Sequence, residues 1–296
     1  MNKKGYIYLG IAVLSFSTLE IATKFIVNDF HPLQLNFLRF FIGSSVLIPF
    51  AIRDLVKKNI KLTFADVLKM LLLGILAVPI SMSLFQVALV YTAASTLAVL
   101  ISSNAIFVAP FSYFILHEKI DRPIIISLIL GIAGMLVIIN PSSTMDAKNL
   151  TGILLAIAAS ITFALFSVLG KKIAEKTGSI ILNCFVFLSG SMLMLPILLI
   201  MKIPIVAGLN YSNIFFVLYI GLIVSALAYI CMFKGLSLLP ASIGSLVFFA
   251  KPIIAGFLAY LLLGEKFTFS LTLGTLFILA GIMFIIVSKN NDIKKK

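Results

Sequence analysis

The segments ASTLAVLISSNAIFVAPFSYFILHEK (94–119) and ASIGSLVFFAKPIIAGFLAYLLLGEK (241–266) align without a gap at an offset of 147 residues. Ala94-Ser95 meets Ala241-Ser242, Tyr113 meets Tyr260, and Glu118-Lys119 meets Glu265-Lys266. The same offset holds outward from them. Gly5 meets Gly152, Lys24 meets Lys171, Asn36 meets Asn183, and Gly43-Ser44 meets Gly190-Ser191. Pro49 meets Pro196, Gly74 meets Gly221 and Gly134 meets Gly281. Apolar coincidences carry little information in so apolar a chain. Glycine, proline, asparagine and charged matches at one constant shift mark a duplication, with copies over 1–147 and 148–296.

Composition places this duplication in lipid. The chain has 296 residues, 61% hydrophobic and 11% charged, with a mean hydropathy of +1.20. A soluble chain carries about 25% charged residues. Disorder, a nucleic-acid module and an ordinary cytosolic enzyme are excluded. Spanning the bilayer takes about 20 predominantly apolar residues. Such runs cover 6–27, 32–51, 67–90, 94–116, 123–140, 152–173, 180–201, 212–233, 241–263 and 268–288. They are helical, because isolated strands leave backbone groups unsatisfied in lipid and a barrel shows short alternating segments. The first run is too long for a signal h-region and no A-x-A site follows it, so it reads as a retained span.

The basic residues set the orientation. Seventeen Lys and Arg fall in one set of alternate loops and termini, against Lys148, Lys202 and Lys266 in the other. The net charge of +13 thus reflects cytoplasmic loops rather than nucleic-acid binding, and both termini are expected in the cytoplasm. A miscounted span would scramble this bias. The chain reads as an all-α membrane protein of ten transmembrane helices in two five-helix copies. An odd number of spans forces the second copy in upside down, giving the inverted repeat of secondary transporters. Exchange of conformation between the halves then turns an inward-open cavity outward.

These residues also resemble a known family. FILHEK (114–119), YLLLGEK (260–266) and FFAKPIIAGFLAYLLLGEKFTFSLTLGTLFILAGIMFI (248–285) are similar to the EamA-like branch of the drug/metabolite transporter superfamily. The resemblance covers nearly the whole chain and implies a transporter, not an enzyme. Members carry amino acids, nucleotide-linked compounds, sugars and other metabolites. It makes export of an amino acid or related metabolite across the inner or plasma membrane the expected function. The first copy departs from the pattern: Asn104-Ala105 stands where the second has Lys251-Pro252, and its proline comes at Pro110. The two halves therefore present different surfaces to substrate.

Charges inside spans are costly and mark function or pairing. Glu20 is the one acid well inside a span; Lys24, Arg39 and Lys251 are the bases. Lys24 sits close enough to the outer end to snorkel. Glu20 and Arg39 each lie about seven residues from the outer ends of adjacent spans, about 10 Å deep at 1.5 Å per residue. A Glu20–Arg39 pair is expected, either as a structural ion pair or as a gating or coupling switch, with Glu20 as the proton carrier if a proton drives transport. Lys24, one turn away, competes for the same carboxylate. Lys251 sits near mid-span, followed by a helix-breaking proline. A midplane cation beside a helix break suits an anionic substrate group; the competing reading pairs it with Glu20. Asn104, Phe248 and Phe16 are the expected neighbours of that substrate. Asn36 and Asn183 read as inter-helix glue, and Glu118 and Glu265 as caps. The sequence has no Walker loop, no His or Cys metal spacing and no nucleophilic triad, so no cofactor is expected. The alternative is a membrane enzyme or a flippase acting on a lipid-linked substrate. Oligomeric state is not legible.

Overall fold

The computed structural model describes residues 3–139, 147–264, 269, 270, 272–274, 276, 277, 279–281, 283 and 284. Among the described residues every regular element is helical. Eight helices are long and apolar enough to cross a membrane. They are α1 (Lys3–Phe25), α2 (Pro32–Lys57), α3 (Phe64–Tyr91), α4 (Ala94–Leu116), α6 (Leu150–Thr177), α7 (Ser179–Ile200), α8 (Ile214–Leu238) and α9 (Ala241–Leu263). The fifth and tenth expected spans are represented by α5 (Arg122–Ile139) and α10 (Thr272–Gly281). Their described apolar stretches, Arg122–Gly134 and Thr272–Gly281, are shorter than the other eight, so ten full crossings are not established. Ser127 Oγ donates to the Gly281 carbonyl at 2.7 Å and ties these two helices together.

Several helices overrun the apolar runs that predict them. α2 continues to Lys57, α6 to Thr177 and α8 to Leu238. Hydropathy marks only the lipid-facing part of a helix, whereas Arg53, Lys57, Lys172 and Lys176 carry it beyond the hydrocarbon. The starts are set by capping boxes. His31 with Gln34 caps α2, and Thr63 with Asp66 caps α3.

Contacts at the helix ends fix the relative sense of the two copies. Gly5, at the start of α1, lies against the Leu239 side chain at the end of α8. The Leu239 carbonyl accepts from Lys171 Nζ, near the end of α6, at 2.8 Å. The start of α1 and the end of α6 therefore share one end of the molecule, which we call the basic end. Repeat-equivalent helices run in opposite directions. At the far end Gln34 Nε2 donates to the Ala207 carbonyl at 2.6 Å.

A pair of glycine contacts displays the two-fold relation. A Cβ on Gly43 of α2 would lie 2.7 Å from the Gly221 carbonyl of α8. A Cβ on Gly190 of α7 would lie 2.6 Å from the Gly74 carbonyl of α3. Gly43 and Gly190 are repeat mates, as are Gly74 and Gly221. Exchanging the copies turns one contact into the other. Only a residue without a side chain lets the backbones approach this closely.

Candidate functional site

The centre of the molecule is built from interrupted helices. α1 is broken between Lys3–Ser17 and Leu19–Phe25. α4 is broken at Ser103, and α9 passes through a 3₁₀ turn, Val247–Ala250, before restarting at Lys251. Pro252 opens the restarted helix, where its missing N–H costs nothing. α3 and α8 carry π-helical turns at Leu76–Met82 and Ile220–Leu227. Interruptions free backbone groups and re-aim side chains. Here they turn Phe16, Asn104, Phe248 and Lys251 toward one another.

Those four residues line one central cavity of about 30 Å³, with Met82, Phe85, Phe163 and Tyr229 among the other walls. A volume of this size holds about two water molecules. Tyr229 is the aromatic hub: its ring meets Phe16 at 4.8 Å and Phe187 at 4.7 Å between centroids.

The ion pair at the wall of this cavity is not the expected one. Lys251 Nζ donates to Glu20 Oε1. Glu20 is 0% and Lys251 4% exposed. The anticipated Glu20–Arg39 bond is absent among the described residues. Arg39 is fully buried, and its Nε and both terminal nitrogens make no hydrogen bond there. Its guanidinium lies 4.5 Å from the Phe40 ring centroid and 5.8 Å from that of Phe85. Lys251 Nζ lies 5.7 Å from the Phe85 ring. Helix depth alone put Arg39 and Glu20 level, but depth says nothing about azimuth, and the guanidinium turns to aromatic faces instead. Lys24, the expected competitor for Glu20, donates to the Leu89 carbonyl at 2.8 Å.

Glu20 Oε2 and Asn104 Oδ1 make no hydrogen bond among the described residues. Buried polar atoms are nearly always paired. Lys251, Asn104 and Phe85 line the cavity, and the Arg39 and Lys251 cations lie 5.8 Å and 5.7 Å from the Phe85 ring centroid. Sequence reading missed Phe85 and Tyr229. Their in-span periodicity carries no signal among 26 Phe and 8 Tyr.

Other expectations fall into place at the edges. Asn36 Nδ2 donates to the Val78 carbonyl at 2.9 Å and to Ser83 Oγ at 3.0 Å, the glue role. Asn183 is buried, but its side-chain atoms make no such bonds among the described residues. Glu118 accepts from the backbone N–H of Ala241 and Ser242 and from Lys171 Nζ, capping α9. Burial alone would raise the Glu118 pKa. The Lys171 and backbone hydrogen bonds outweigh it and hold the carboxyl below its ordinary value of 4.5. Glu265 and Lys266 lie outside the described residues. Cys184 and Cys231 are free and buried, and no group of metal-ligating side chains occurs among the described residues.

A second cavity, about 490 Å³, opens at the basic end between α3, α4 and α6. Leu73, Leu76, Ile115 and Leu169 form its apolar walls, and Lys69 and Lys172 stand on them.

The EamA-like transporter family model matches the chain twice, over residues 3–140 and 150–287. This chain belongs to the EamA-like transporter family. An uncharacterized transporter of Clostridium kluyveri is 38% identical over 301 residues, covering 99% of this chain and 97% of that one. The uncharacterized transporter YetK of Bacillus subtilis is 26% identical, covering 96% and 87%. A solved crystal structure superposes with a TM-score of 0.77 at 19% identity over 96% of both chains, which bears on the fold alone. As an EamA-like protein, this chain is a multi-pass membrane transporter whose two matched segments are the two inverted copies.

Proposed function

We propose that this transporter moves a small metabolite carrying an anionic group, an amino acid or a related compound, out of the cell by alternating access. The observation that carries the reading is the Arg39 guanidinium: wholly buried, without a hydrogen bond among the described residues, and 5.8 Å from the ring of Phe85, which lines the cavity together with Lys251. An unpartnered buried cation is costly. A substrate carboxylate or phosphate satisfies it with charge-assisted bonds. Lys251 is the second cation available to that group once Glu20 is protonated or displaced, so Glu20 is both gate and proton carrier. Asn104 supplies an acceptor for a substrate donor, and Phe16 and Phe248 supply apolar contact.

The wide cleft at the basic end fits a conformation that faces that end. The Lys/Arg bias supports a cytoplasmic location for that end and for both termini, in an inner or plasma membrane. The functional halves are 1–147 and 148–296. The test is a thermal-shift screen of purified protein with carboxylate, phosphate and cationic metabolites. Anionic compounds are expected to stabilise the native chain and to have no effect on Arg39→Gln. Stabilisation by cationic compounds alone would overturn the reading.

A further inference from the structure

The open cleft at the basic end has a closed counterpart at the far end, related to it by the 147-residue repeat. Asp66 and Lys176 correspond to Asn213 and Asp29, and Lys69 and Lys172 correspond to Phe216 and Phe25. At the far end the seam is shut. Asn213 Nδ2 donates to Asp29 Oδ2 at 3.0 Å, and the Phe25 and Phe216 rings meet at 5.4 Å. The Thr18 and Tyr219 hydroxyls are hydrogen-bonded at 2.7 Å. At the basic end the matching polar contact is also made, with Lys176 Nζ 2.6 Å from Asp66 Oδ2. Where the far seam has two phenylalanines, the cleft has two exposed lysines, and neither takes part in an ion pair among the described residues.

We infer that Lys69 and Lys172 form an anion-dependent gate: the cleft at the basic end closes when a carboxylate or phosphate group bridges the two ammoniums. The inference rests on the alternating-access reading above. In the opposite state the two copies exchange conformations, and Lys69 and Lys172 approach as Phe25 and Phe216 do here. Two ammoniums brought together beside Leu73, Leu76 and Leu169 repel, and nothing at the seam offsets that repulsion unless an anion binds. The neighbouring carboxylate, Asp66, is already held by Lys176. A bridging anion converts the repulsion into two charge-assisted hydrogen bonds. Phenylalanines need no such ligand, so the far gate is indifferent to anions and the basic gate is not.

The gate is tested by thiol labelling in nanodiscs of neutral phosphatidylcholine, with Cys184 and Cys231 replaced by alanine. Ile173→Cys reports the cleft and Ile223→Cys reports the region one turn below Tyr219. An uncharged, water-soluble maleimide is the reagent. Inorganic phosphate, against chloride at equal ionic strength, is expected to slow Ile173→Cys labelling by about fivefold or more. Lys69→Gln/Lys172→Gln is expected to abolish that response. Lys69→Phe/Lys172→Phe is expected to slow labelling with no anion and to speed labelling at Ile223→Cys. Slowing only when phosphatidylglycerol is included identifies a lipid headgroup as the anion; slowing by phosphate in neutral discs identifies a soluble one. If neither anion slows the native-lysine protein, or the response survives in the glutamine variant, the gate is overturned. Alternating access fails by a different result: the phenylalanine variant leaves both labelling rates unchanged.

Discussion

The Lys251 ammonium and the Glu20 carboxylate, 231 residues apart in sequence, are bonded to each other in the middle of the protein. Each comes from a helix broken beside it: α1 at Thr18, α9 at its 3₁₀ turn. With Glu20 held by Lys251, the Arg39 guanidinium makes no hydrogen bond among the described residues.

Removing one member of a buried pair strands the other. Glu20→Gln and Lys251→Met should each lower stability by about 3–5 kcal/mol, and the double variant should recover a large part of that loss. Thermal unfolding in detergent measures the cycle. Additive losses would mean that the two side chains do not interact. The same Glu20→Gln protein, reconstituted in proteoliposomes, should transport without pH dependence.

Arg39 makes the opposite prediction for stability. Burying its guanidinium without a hydrogen bond among the described residues costs stability, offset in part by the Phe40 ring, so Arg39→Met should match or exceed the native melting temperature while losing most substrate uptake. A protein that melts much earlier would show that Arg39 is structural.

Gly43→Ala and Gly190→Ala should behave alike, because the repeat makes their contacts equivalent. Each inserts a methyl group against a carbonyl oxygen across a helix interface, and overpacking of this kind costs about 1–3 kcal/mol. Melting curves of the two variants test the symmetry. A neutral result for one and not the other would break it.

Glu118 gives the pH dependence. Its pKa is lower folded than unfolded. Its stabilising contribution is therefore fully present above the ordinary value of 4.5 and is lost as pH falls through the lower folded value. Glu118→Gln should lose stability at neutral pH, by about 2–4 kcal/mol, and should show a shallower loss on acidification. Stability against pH, followed from neutrality down to about pH 3, reads the difference in slope.

How much of the site was legible varies residue by residue. Lys251 and Asn104 stand out because charge and amide signals are rare in apolar spans, and Phe248 and Phe16 follow only from lying one turn from Lys251 and Glu20. They do line one cavity. The Glu20 partner could not be picked out, since Arg39 and Lys251 both satisfy the chemistry and the sequence supplies no azimuth. Phe85 and Tyr229 were hidden among many aromatics. The helix ends at Lys57 and Thr177 were missed because helices continue where hydropathy stops.

The residue order alone determined the duplication, the membrane-spanning helices and the opposed sense of the two copies. Those features follow from an additive, one-dimensional quantity, the cost of putting each side chain in lipid, read at a constant offset. Which cation holds Glu20, and which end of the molecule stands open, were decided only by tertiary packing. Breaks at Thr18, Ser103 and Val247–Ala250 rotate side chains about their helix axes, and that rotation depends on neighbours brought together from both copies.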